Sequence, residues 1–261
     1  MFMSMQIKQV GKFNLYYKGT WNDKLFTKCM GVVGSRRITN YGHQVVEKIV
    51  PQLVFDGWTI VSGFMYGVDI AAHKTCLECG GKTIAVLGWG INYQNDSHDQ
   101  KLLDQIVDSD GLVLSLWNDQ PGTNWTFPAR NKVVAEISHE IIVVEAAIKS
   151  GALLTATMVR NLKKPIWAIP GPITSSVSAG TNKLLADGLA KPWLGKSPSS
   201  PLTSSANSLQ TSILNILQNE SLDSSEISRK LQIPINQISA ELSVMILTGA
   251  LSEKNGKYYQ P

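Results

Sequence analysis

Three short stretches carry residues whose types and spacing could do chemistry. In Gly34-Ser35-Arg36-Arg37 an apolar run stops at a glycine and two guanidinium groups follow at once. In Phe127-Pro128-Ala129-Arg130-Asn131-Lys132 a ring stands beside two cations. Lys149-Ser150-Gly151 follows Glu145 closely. Glycine lets a ligand approach the main chain, and backbone N–H groups at a helix start favour anions, phosphate above all. Arginine adds a planar fork that matches phosphate oxygens. Cations near a helix start are opposed by the helix dipole, so Arg130 and Lys132 need another reason to be there. Phosphate contacts plus a stacking ring suit single-stranded nucleic acid. A solvated first turn with Phe127 in the core is the plainer reading of the same residues.

Other chemistries find less support. There is no G-x-x-x-x-G-K-[ST], and Gly88-Trp89-Gly90 is only half of a dinucleotide fingerprint. Cys76 and Cys79 form a C-x-x-C with His73 three residues ahead, and only Cys29 could complete a sulfur set. A structural zinc site usually pairs two such knuckles, so neither a metal nor a cofactor is expected. Asp69 and His73 fall on one helix face, a spacing that fits bracing the helix better than acid–base work.

The elements that must position these groups alternate. Strands are expected at Met30–Val33, Trp58–Ser62, Thr83–Leu87, Gly111–Trp117, Glu140–Ala146 and Pro165–Ile169. They are continuous and rich in Val and Ile, as in strands buried on both faces. Helices are expected at Gly42–Phe55, Val68–Cys79, Asp99–Val107, Ala129–His139, Ala152–Leu162 and near Thr181–Leu189, with Pro51 kinking or ending the first. Phe13–Gly19 could add an edge strand. The fold class is therefore α/β, a mostly parallel Rossmann-like sheet with helices on both faces over residues 1–195. Glycines follow five of the six strands, on one edge of the sheet, where open parallel sheets bind ligands.

Lys196–Ser208 is rich in Ser and Pro and reads as a linker. Beyond it, Leu209–Asn219, Leu222–Gln232 and Ile235–Ala250 are three helix candidates, the second with Asp223 and Glu226 placed for a capping box. Asn255-Gly256 between strand formers signals a hairpin. Three helices and a hairpin over 209–261 predict a winged-helix domain. The third helix carries Glu241 and no Lys or Arg, so contact with protein, or with the chain's own large domain, is expected rather than with duplex DNA.

Bulk numbers bound the class. The 261 residues are 43% hydrophobic and 17% charged, ordinary for a globular protein. Residues 209–261 hold four basic and five acidic side chains, so the positive excess sits wholly in residues 1–208, with 20 basic against 15 acidic. No run of eighteen apolar residues appears and the N-terminus lacks a secretory pattern; a cytoplasmic address without membrane contact is the expectation.

The motifs "GVVGSRRITNYG", "SGFMYGVDIAAH", "GKTIAVLGWGI", "FPARNKVVAEIS", "VVEAAIKSGALLTA", "IPGPI" and "SAGTNKLLADG" occur in the order found in the DNA-processing protein A (DprA, or Smf) family, which the chain resembles from about Gly31 to Gly188. The resemblance implies a non-enzymatic protein that binds single-stranded DNA, dimerises and loads the RecA recombinase onto incoming DNA in natural transformation. Carried over by motif, the nucleic-acid site would use Gly34, Ser35, Arg36, Arg37, Phe127, Arg130, Asn131, Lys132, Lys149, Ser150 and Gly151, with no catalytic residue. Met65 and Tyr66 stand where members of the family usually have Ala and often Arg, and the Tyr-Pro usual after "GWGI" is absent. With thirty residues ahead of the first strand, the N-terminal helical domain of many members is expected to be absent or vestigial. Two rivals remain: a Rossmann-fold nucleotide N-glycosidic hydrolase of the lysine-decarboxylase-like group, with Glu145 or Asp69 as acid–base, and a ligand-sensing transcription regulator.

Overall fold

The structure, a computed structural model, describes residues 6–93, 97–195, 208–217, 220–247, 250–254 and 256–259. The chain divides into two compact units, residues 1–195 and 196–261.

The first unit is built on a nine-stranded sheet: β1 (Ile7–Val10), β2 (Phe13–Lys18), β3 (Cys29–Val33), β4 (Thr59–Ser62), β5 (Thr83–Leu87), β6 (Leu112–Ser115), β7 (Glu140–Val143), β8 (Ile166–Ala168) and β9 (Lys191–Pro192). Their spatial order is β1-β2-β6-β5-β4-β3-β7-β8-β9. From β6 to β9 all pairs are parallel; β1 and β2 pair antiparallel with each other, and β2 with β6. The expected edge strand is thus the inner arm of a hairpin, with β1 outside it.

Alternation along the strands explains why the sheet needs cover on both faces. On β3 and β7, Met30, Val32 and Ile142 point to one side and Val33, Ile141 and Val143 to the other. The first side packs on α1 (Asn40–Phe55) and α2 (Val68–Glu78); α3 (Ser97–Asp108) covers β5 and β6. The other side packs on α4 (Thr126–Ile137) and α5 (Gly151–Asn161), while α6 (Ala179–Ala186) contacts β8. Strand order runs outward from β3 through β4, β5 and β6, then resumes on the other side at β7. A crevice opens at such a switch point, at the carboxyl ends of the strands.

Two local expectations are corrected. Pro51 does not end α1, which runs on to Phe55. The apolar face formed by Val46, Ile49, Val50 and Leu53 is wholly buried, and that packing holds the helix through the lost N–H bond. And α4 begins at Thr126, three residues earlier than expected, because Thr126 Oγ1 accepts from Thr123 N at 2.8 Å and donates to Thr123 O at 3.0 Å. Pro128 lies inside the first turn, where no N–H is needed. Arg130, Asn131 and Lys132 accordingly sit in the second turn.

The second unit contains α7 (Ser208–Leu217), α8 (Ser224–Leu231), α9 (Ile235–Leu247) and an antiparallel pair, β10 (Ser252–Lys254) and β11 (Lys257–Tyr259). The Asp223–Glu226 capping box forms at the start of α8. Ile213, Leu217, Ile227, Ile238, Leu242, Met245 and Leu251 make its own core. The expected linker, Gly249 and Asn255 lie outside the described residues apart from Ser208. No helix among the described residues is long and apolar enough to cross a membrane.

Candidate nucleic-acid interface

A cleft of about 650 Å³ opens where the strand order reverses. It brings together ten of the eleven site residues expected from the sequence: Gly34, Ser35, Arg36 and Arg37 after β3; Phe127, Arg130 and Asn131 on α4; Lys149, Ser150 and Gly151 after β7. Lys132 is the exception. It is exposed on α4 but does not line the cleft, since the helix rotates it away from Asn131.

Each wall has a local cause. Ser35 Oγ accepts from Arg37 N and donates to Arg37 O, both at 3.0 Å, so the chain turns tightly after β3 and leaves both arginines exposed. The Arg36 guanidinium lies over the Phe127 ring, 5.2 Å from its centre. Ser150 caps α5, accepting from Leu153 N at 3.4 Å, and its helix starts at the cleft. Exposed Lys149 stands beside that N-terminus. Backbone donors, helix dipole and three exposed cations therefore converge on one opening.

Arg130 differs from the surface cation read from the sequence. It is only 3% exposed. Its Nη1 donates to Val86 O at 2.7 Å and its Nε to Asn131 Oδ1 at 3.0 Å. Burial lowers its pKa to about 10, with buried Asp69 opposing that shift, so it stays charged at neutral pH. Asp69 is pushed up by burial, with Arg130 the largest influence holding it down; it also accepts from Met65 N at 3.2 Å. Both side chains reach under Gly63: a Cβ there would lie 2.2 Å from Arg130 Nη1 and 2.7 Å from Asp69 Oδ2. Arg130 thus gives the cleft floor a fixed positive charge, with limited access to it.

The hydrolase candidates have other partners. Glu145, 1% exposed, accepts from Thr39 N at 3.0 Å and from Thr39 Oγ1 at 2.5 Å, at the start of α1. His73 does not bond Asp69; its Nδ1 lies 2.7 Å from Thr83 Oγ1, and burial lowers its pKa to about 3. Cys29 and Cys76 are buried, and burial raises both thiols to about 12. Among the described residues no three His, Cys, Asp or Glu side chains are grouped to hold a metal ion. Sequence reasoning missed Asn124 and Ser176, which line the cleft from the loops after β6 and β8.

Residues 5–199 match the family described as DNA recombination-mediator protein A. The chain belongs to that family. Among recombination-mediator relatives, the DNA processing protein DprA of Streptococcus pneumoniae is 39% identical over 176 residues, 67% of this chain and 61% of its own length. The Bacillus subtilis protein of the same name is 30% identical over 164 residues, 63% of this chain and 55% of its own. The chain thus spans about three-fifths of the curated relatives' length, or less. Two solved structures superpose with a TM-score of 0.63. One is DprA of S. pneumoniae, 37% identical, with 69% of this chain and 62% of that one covered. The other is DNA processing protein A of Helicobacter pylori, described for its single-stranded DNA binding mode, 30% identical, with 70% and 82% covered.

Proposed function

We propose that this chain binds single-stranded DNA without sequence preference in the cleft at the ends of β3 and β7. One observation carries the reading: exposed Arg36, Arg37 and Lys149 converge with the α5 N-terminus and the Phe127 ring on a single opening above the Arg130 charge. Phosphates meet guanidinium groups and backbone N–H donors, and bases meet aromatic surface, which is how unpaired strands are held without reading their sequence. The DNA-binding H. pylori relative supports the same reading. The chain's part is to shield incoming single strands and hand them to the RecA recombinase in DNA uptake, as a cytoplasmic homodimer and not as an enzyme. Its 209–261 unit acts as a winged-helix module that contacts protein.

The test is a titration of the full chain with single-stranded DNA, the matching duplex and RNA. Single strands are expected to bind tightest, Arg36→Ala to lose much of the affinity, and binding to weaken steeply with salt. Equal binding of duplex, or release of free base from nucleoside monophosphates, would overturn the reading. RecA transfer is checked by adding the recombinase to strands already bound, and dimerisation by light scattering.

A further inference from the structure

Beside the cleft lies a second cavity of about 270 Å³. Phe64, Tyr66, Trp89, Tyr93 and Phe127 line it together with Met65, and among the described residues no charged side chain does. Met65 and Phe127 line both openings, so the two are adjacent. One is lined by cations and amides, the other by rings. We propose that the aromatic cavity is a nucleobase pocket, taking one base of the strand whose phosphates lie in the cleft. The proposal rests on the DNA-binding reading and names what the cleft alone leaves open.

The cavity is a built feature. Phe64 has φ +57°, a left-handed conformation uncommon for a bulky residue. That turn drives its ring into the core, edge-on to Trp89 with centroids 6.3 Å apart, and leaves Tyr66 at the mouth, 64% exposed. Tyr93 faces it from the loop after β5 and is 38% exposed. Gly88 lets the Phe127 ring close the side next to the cleft: a Cβ at Gly88 would lie 2.4 Å from Phe127 Cδ1. The Tyr66 and Tyr93 hydroxyls have no partner among the described residues, so both can meet a base edge. A phosphate finds no donor charge here, whereas every base has a π-face to offer.

The experiment crosses two oligomers with the full chain and its variants. A short oligothymidylate supplies bases and phosphates; an oligomer of equal length with abasic sites supplies the same phosphates alone. Wild type should bind the first more tightly. Tyr66→Ala, at an exposed position, should weaken the thymidylate about five- to thirtyfold and leave the abasic strand unchanged, while Tyr66→Phe keeps the ring and the affinity. Arg36→Ala should weaken both. A Tyr66→Ala effect on neither strand, or an equal effect on both, overturns the pocket while the cleft stands. Binding of neither strand by wild type removes the cleft, and the pocket with it.

Discussion

Arg36 and Arg130 look alike in the sequence and are different objects in the fold. Arg36 is exposed over the Phe127 ring, so its removal should cost affinity and little stability. Arg130 is buried against Val86 O and beside Asp69. Arg130→Met should therefore destabilise the fold by about 3 kcal/mol, because it leaves a buried carboxyl without its opposing charge. Thermal unfolding and DNA titration of both variants separate the two roles; equal stability would place Arg130 in the interface alone. Residue type and spacing could not make this distinction, since the sequence does not say which way a helix turns a side chain. His73 adds a pH effect. Its folded pKa is lowered to about 3 by burial, against an unfolded value near 6.5. The stability linked to it is complete above about 6.5 and is lost as pH falls toward 3, at up to about 1.4 kcal/mol per pH unit. Unfolding measured from pH 7 to 5 should show this loss, and His73→Gln should flatten that part of the curve.

Among the elements, α1 shows how a residue with catalytic looks serves packing. Its N-terminus is held by Glu145, from the end of β7, through Thr39 N and Oγ1. A carboxylate there also satisfies the helix dipole. Glu145→Ala should lower stability by about 2 kcal/mol, the worth of a hydrogen bond to a charged group. Gly42→Ala should do likewise, because its Cβ would lie 2.5 Å from Glu145 Oε2 and 2.7 Å from Ile38 Cγ1. Melting curves check both, and an unchanged melting temperature in Glu145→Ala would free that carboxylate for other work. The six central strands were legible because buried parallel strands are short, apolar and β-branched. The start of α4 was not, because it depends on one threonine hydroxyl bonding its own loop. Pro51 misled because propensity speaks for the isolated helix, and four buried side chains outweigh it here. The cleft could be read from glycines after strands. The aromatic cavity could not, since nothing in residue type announces that Phe64 turns left-handed.

At the scale of the whole molecule, the charge sits where the cleft is. The +4 excess belongs to residues 1–195, and the second unit has a core of its own and five basic against five acidic side chains. Deleting residues 196–261 should therefore leave single-strand affinity nearly intact, and the excised unit should not bind duplex. The salt dependence gives a quantitative check. The exposed cations that line the cleft are Arg36, Arg37 and Lys149; Arg130 is already engaged with a carbonyl and near Asp69. Each phosphate neutralised on a single strand contributes about −0.7 to the slope of log K against log salt. Three contacts give a slope of about −2 per chain, and Arg36→Ala should reduce its magnitude by about 0.7. A slope several times steeper in the full chain, falling on deletion of residues 196–261, would mean that the second unit also holds the strand and that the protein-contact assignment for α9 is wrong.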